Sequence, residues 1–107
     1  MSSEWDAPSL TSLVIEPVLA VMLSVEERSG ATITLSPAPD VDGWRLDLEF
    51  PRETMSCYVY QPGPMAGWTT QMLARFFADD LQDFIAESTF GWGEQRPLPA
   101  DLQDVVL

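Results

Sequence analysis

Asp79, Asp80, Asp83 and Glu87 are separated by one, three and four positions, a spacing that on a helix brings their carboxylates along one side. Like charges set that way cost a helix about 0.2–0.5 kcal/mol per pair. The group also lies toward the negative end of the helix dipole. With no Lys or Arg interleaved, such a ridge is either a solvated face or a surface that meets a cationic partner. Paired carboxylates can also serve acid–base hydrolysis or hold a hard cation, and Asp40, Asp42 and Gly43 begin like a calcium loop. The later ligands of such a loop are missing, so neither catalytic nor metal-ligating residues are expected.

Other chemistry is bounded by absent residue types. The chain has 107 residues, with 17 acidic and 5 basic side chains, no His and a formal charge of −12. All five cations are arginines (Arg28, Arg45, Arg52, Arg75, Arg96), and Lys and Asn do not occur. Without His or Lys there is no Ser-His or Cys-His nucleophile pair, no Schiff base, no P-loop lysine and no imidazole metal ligand. No enzyme activity and no cofactor is therefore expected. The charge repels phosphate backbones and anionic lipid heads, which argues against nucleic-acid and membrane partners. A shift of codon usage in a high-GC or salt-adapted genome would produce the same acidity without a functional cause.

Cys57 is the only cysteine, so no internal disulfide can form. It alternates with Met55 and Val59 on the core face of a strand, where it has no neighbouring cation to activate it. The first residues carry acids where a secretory signal carries Lys or Arg, and the longest apolar run, Val18 to Leu23, is far shorter than a membrane span. A reducing, cytoplasmic location is the expectation.

The elements that must position these residues follow from periodicity. After a loose N-terminus (1–11), residues from about Ser12 to Ser29 place Leu13, Val14, Val18, Val21, Met22 and Val25 near helical spacing, with Pro17 in the first turn and Gly30 beyond the last. Ala31, Ile33 and Leu35 then alternate with Thr32, Thr34 and Ser36, and Pro37 closes that strand. Trp44, Leu46, Leu48 and Phe50 alternate with Arg45, Asp47 and Glu49, and Met55, Cys57 and Val59 alternate with Ser56, Tyr58 and Tyr60. A Pro-Gly-Pro break leads to a long helix, Trp68 to Ser88, with Trp68, Met72, Phe76, Phe77, Leu81, Phe84 and Ile85 as its apolar stripe. The chain predicts one α+β domain: a two-layer α-β-β-β-α arrangement, its three-stranded antiparallel meander covered on one face by two helices. Residues 89–107 form an extended C-terminal tail that either folds back on the domain or docks on a partner.

Two further surfaces compete with the ridge. The outer sheet face should present Arg45, Tyr58 and Tyr60 beside Thr32, Thr34, Asp47 and Glu49, and Tyr and Arg are enriched at binding hot spots. The tail offers Phe90 and Trp92 between flexible glycines.

The stretch from Glu16-Pro17-Val18-Leu19-Ala20 through Arg28-Ser29-Gly30, followed by Phe77-Ala78-Asp79-Asp80-Leu81-Gln82-Asp83 and Glu87, resembles a group of small uncharacterised actinobacterial proteins. The group has a helix, a short sheet and an Ala-Asp-Gln-hydrophobic-Gln helix, so the resemblance implies that fold and a cytoplasmic bacterial origin. Its members tend to carry Cys-Pro-x-His in the tail where this chain reads Leu98-Pro99-Ala100-Asp101, a departure that removes a hint of metal or redox chemistry.

The expected function is a small non-enzymatic interaction module, monomeric or homodimeric, that binds a basic protein partner in the manner of an immunity or inhibitor protein. Its partner-binding residues would be Asp79, Asp80, Asp83 and Glu87, with Arg45, Tyr58, Tyr60 and Trp92. The alternative is a structural or assembly subunit that acts by oligomerisation through a strand edge or the aromatic tail.

Overall fold

The computed structural model describes residues 5–107. Helix α1 (Ala7–Leu10) starts on an Asp6 cap, whose Oδ1 accepts the Ser9 N–H at 2.8 Å. It continues without a break through a π-helical turn (Thr11–Ile15) into α2 (Glu16–Met22). The helix thus begins well before Ser12, which corrects the expected loose N-terminus; residues 1–4 of that stretch lie outside the described residues. Pro17 is the reason for the π turn. A proline gives no N–H and its ring crowds the carbonyl four residues back. The turn just ahead of it is wide, with Glu16 N–H reaching back to the Thr11 carbonyl.

That wide turn also resets which residues face inward. Leu10, Val14, Ile15, Val18, Leu19 and Met22 are buried, whereas Leu13 is 51% exposed and Val21 49%. The expected single helix to Ser29 breaks at the extended Leu23, and a separate short helix α3 (Val25–Ser29) follows. It starts with a capping box: Ser24 Oγ accepts the Glu27 N–H while Glu27 Oε1 accepts the Ser24 N–H. Val25 points to solvent.

The sheet is an antiparallel meander, β1 (Thr32–Ala38), β2 (Gly43–Glu49) and β3 (Thr54–Tyr60), in the order β1-β2-β3. Leu35↔Leu46↔Cys57 and Ile33↔Leu48↔Met55 form its inner rows, as the alternation predicts. β1 runs on through Pro37, which an edge strand tolerates because the missing N–H can face away from the ladder. A bulge opposite Trp44 shifts the register, so that Tyr58 pairs with Arg45 but Tyr60 pairs with Trp44. Tyr60 therefore joins Val59 on the inner face and is 1% exposed, which corrects its expected place on the outer face. Gly43 is required beside this bulge, because a Cβ there would run into the Tyr60 carbonyl.

Helix α4 (Thr70–Glu87) is capped by Thr69, which accepts the Met72 N–H, and it buries Leu73, Ala74, Phe77, Ala78, Leu81 and Ile85. The helices pack on the sheet's inner face around Leu46, Leu48, Met55 and Val59, giving the expected two-layer α+β architecture.

Beyond α4 the tail returns along its own domain. Phe90 packs against Phe50 and Phe84, with ring centroids 4.9 and 6.2 Å away. Leu102, in a 3₁₀ turn (Ala100–Leu102), is buried in the core. Among the described residues no helix is long and apolar enough to cross a membrane.

Candidate functional site

The turn period of α4 sorts its polar residues onto two flanks of the buried stripe. Arg75, Asp79 and Gln82 lie on one flank, and all three are engaged. Arg75 Nε donates to Asp79 Oδ1 at 3.1 Å, while its Nη1 donates to the carbonyls of Leu102, Gln103 and Val105. Gln82 Oε1 accepts the Arg96 N–H and its Nε2 donates to the Glu94 carbonyl, both at 2.7 Å. Asp79 is therefore not part of an unpaired ridge. Arg75, four residues earlier and so on the same side of the helix, supplies its cation.

Asp80, Asp83 and Glu87 lie on the other flank and form a groove with Thr54, Met55, Ser56, Cys57 and Phe84. One wall is strand β3 and the other is the acidic side of α4. None of these three carboxylates is in an ion pair or side-chain hydrogen bond among the described residues. Partial burial, followed by the charges of Asp83 and Asp79, holds the Asp80 carboxyl above its usual range. Burial pushes the Cys57 thiol up to about 12, with Asp80 and Asp47 adding to the effect. At neutral pH this thiol stays protonated and is a poor nucleophile.

The outer sheet face is a distinct surface. Asp47 Oδ1 accepts from Ser56 Oγ at 2.5 Å and from Arg45 Nε at 3.3 Å, which ties the half-exposed Arg45 side chain to its own strand. Tyr58 donates its hydroxyl to Asp40 Oδ2 at 3.0 Å, and that bond to a carboxylate raises the phenol's pKa. Asp40, Arg45, Asp47 and Tyr58 border a shallow polar basin with Ser36 and Pro39. Trp92 stands apart on the loop after α4, 78% exposed and in neither concavity. The structure thus brings Asp80, Asp83 and Glu87 together, pairs Arg45 and Tyr58 on another face, turns Tyr60 inward and leaves Trp92 alone.

A third concavity was not read from the sequence. Phe50, Pro51 and Phe90 floor an apolar bowl, with Glu26, Glu27, Glu53 and Arg52 at its lip. Two of these acids already have structural work. Glu27 takes Arg96 at 2.5 and 2.9 Å, and Glu53 accepts the Thr89 N–H at 2.9 Å. Phe50 and Pro51, just after β2, are visible in the sequence, but the return of Phe90 over them depends on the tail and has no local signal.

Among the described residues, four of the five arginines form ion pairs: Arg28 with Glu16, Arg45 with Asp47, Arg75 with Asp79, and Arg96 with Glu27 and Glu94. The cations are mostly consumed in internal ties, so the excess negative charge is left on the surface, and the groove between β3 and α4 is lined by three of these acids, Asp80, Asp83 and Glu87. No protein-family model, curated protein or solved structure matches this chain.

Proposed function

We propose that the protein is a non-enzymatic interaction module that binds a basic protein partner, acting as an immunity or inhibitor type of protein in a reducing cytoplasm. The observation that supports this reading is the Asp80, Asp83 and Glu87 flank: three carboxylates beside a strand edge, with no cation of their own. Folding alone does not favour that arrangement, since like charges at helical spacing cost stability. A cationic surface would relieve the repulsion on binding. Complementary charge also speeds encounter, which suits a protein that must reach and block its target quickly.

The test is a salt titration of association kinetics with the native partner. The on-rate should fall steeply between low and moderate ionic strength. Replacing Asp80 and Asp83 with Asn and Glu87 with Gln should keep the fold and slow association. An unchanged rate and affinity in that triple variant would sink the reading and make the flank an ordinary solvated face.

A second reading, an assembly subunit, draws on the open edges of β1 and β3, which are templates for another strand. Gel filtration separates the two, because an inhibitor awaiting its partner is a monomer or a dimer whereas an assembly subunit grows with concentration.

A further inference from the structure

The groove has a backbone wall as well as a charged one. At the β2–β3 turn, Phe50 N–H donates to the Glu53 carbonyl at 2.7 Å, which makes Phe50 and Glu53 a hydrogen-bonded pair. Bonded and non-bonded pairs alternate along an antiparallel ladder. Met55 opposite Leu48 and Cys57 opposite Leu46 therefore turn their amides toward β2. Thr54, Ser56 and Tyr58 turn theirs outward, and none of these three backbone groups meets another described residue across the free edge.

Edges of this kind are normally blunted by proline, lysine or a bulge. β1 carries Pro37, and β3 is bulged only at its far end, near Tyr60. Between Thr54 and Tyr58 the edge has no such device, only the carboxylates of α4 beside it. We propose that this edge accepts an extended Lys- or Arg-rich segment of the basic partner as a fourth strand, with Asp80, Asp83 and Glu87 receiving its cationic side chains.

The charges select this occupant over a second copy of the chain. Two β3 edges paired with each other would bring both sets of carboxylates together on molecules of charge −12 each. The same acids that attract a basic strand thus keep the edge from joining its own kind. Main-chain bonds supply affinity that tolerates sequence, and the flanking charge supplies selectivity.

The inference rests on the proposed function and specifies its mode of binding, so its test uses a defined probe: a synthetic peptide alternating Lys with Val. Amide hydrogen exchange of the intact protein is followed by NMR. The peptide should slow exchange at Thr54, Ser56 and Tyr58 while leaving the already bonded Met55 and Cys57 little changed. A peptide with Glu in place of Lys, and a Lys peptide N-methylated on alternate amides, should both fail. Replacing Asp80 and Asp83 with Asn should raise the Kd of the Lys peptide roughly tenfold, as expected for a few exposed ion pairs.

Salt-sensitive binding that leaves the three amides unprotected would overturn strand addition while sparing the charge-based function. Equal protection by the Glu peptide would overturn the basic occupant. Concentration-dependent protection without peptide, with a dimer on gel filtration, would assign the edge to a second copy. Failure of the Lys peptide to bind also overturns strand addition, and the salt titration with the native partner then decides the broader reading separately.

Discussion

Helix α4 carries polar side chains on both sides of its buried stripe, and the two sides are built differently. Toward the tail, Arg75 holds Asp79 and three carbonyls, and Gln82 clasps the backbone on either side of residue 95. Toward β3, Asp80, Asp83 and Glu87 face a strand edge with no cation among them. The same helix therefore uses polar residues once to close the fold and once to leave a surface open. With five arginines against 17 acids, most carboxylates cannot have an arginine, and the two flanks of α4 show both outcomes: Asp79 is paired with Arg75, while Asp80, Asp83 and Glu87 are in no ion pair among the described residues.

The tail-facing side should be the costly one to disturb. Leu102 is buried at its far end, so Leu102→Ala is expected to lower stability by about 2–5 kcal/mol, the usual cost of a large-to-small core change. Trp92→Ala, in the same tail but exposed, should change stability by no more than about 0.5 kcal/mol. Urea denaturation midpoints measure both. Equal shifts would mean that the tail contributes nothing as a docked element and that the contrast between the flanks is false.

A smaller loss is expected at Arg96, which ties the tail to the end of α2 and to α3 through the Met22 carbonyl and Glu27. Arg96→Ala leaves these acceptors partly buried without their donor, at a cost of about 1–3 kcal/mol. The hydrogen bond from Arg96 holds the Glu27 carboxyl below its usual value of 4.5. A depressed carboxylate contributes stability above its unfolded pKa and loses it as pH falls through the folded one. The gap between the two proteins should therefore be full at neutral pH and close in acid. A gap that stays constant down to a pH of about 2 would show that packing, and not the ion pair, sets the cost.

These two predictions concern contacts that no local pattern in the sequence reveals. The meander and α4 were legible because alternation and helical spacing are local signals, and the rows Leu46 to Cys57 and Leu48 to Met55 lie where they should. The first helix departs from expectation because Pro17, a residue common at helix starts, here follows a π turn inside a helix already under way. The π turn lets Leu10, Val14, Val18 and Met22 keep a strict four-residue spacing on one face, which a regular helix would let drift. Tyr60 turns inward for a related reason: one bulge residue reverses the alternation, and nothing within β3 announces it. The Ser24-x-x-Glu27 capping box was present in the sequence and would have divided α2 from α3. For the site, the acidic flank is legible by spacing, and so is its division at Asp79, since Arg75 stands four residues before it on the same side of the helix, whereas the strand wall depends on how the sheet lies over α4.

The smallest expected effect is the one that most directly compares the flanks, and it has the opposite sign. Asp80 is partly buried beside Cys57, and its nearest charges are those of Asp83 and Asp79, so its pKa is raised above the usual 3.8. A carboxyl with a raised folded pKa binds protons more readily in the folded state. Its contribution to stability is therefore best below the window between the unfolded and folded values, and it declines as pH rises through that window. At neutral pH the ionised Asp80 is a net cost to folding. Asp80→Asn removes that cost while keeping nearly the same shape, so its thermal midpoint should lie modestly above that of the natural protein at neutral pH. In acid the two should converge. Added sodium chloride should narrow the gap as well, because it screens the repulsion from Asp83 and Asp79, although it cannot remove the part due to burial. The corresponding change on the other flank, Asp79→Asn, breaks the pair with Arg75 and should bring no gain. If Asp80→Asn were instead less stable than the natural protein at neutral pH, Asp80 would have a favourable partner within the fold, and the β3-facing flank could no longer be treated as charge held open for another molecule.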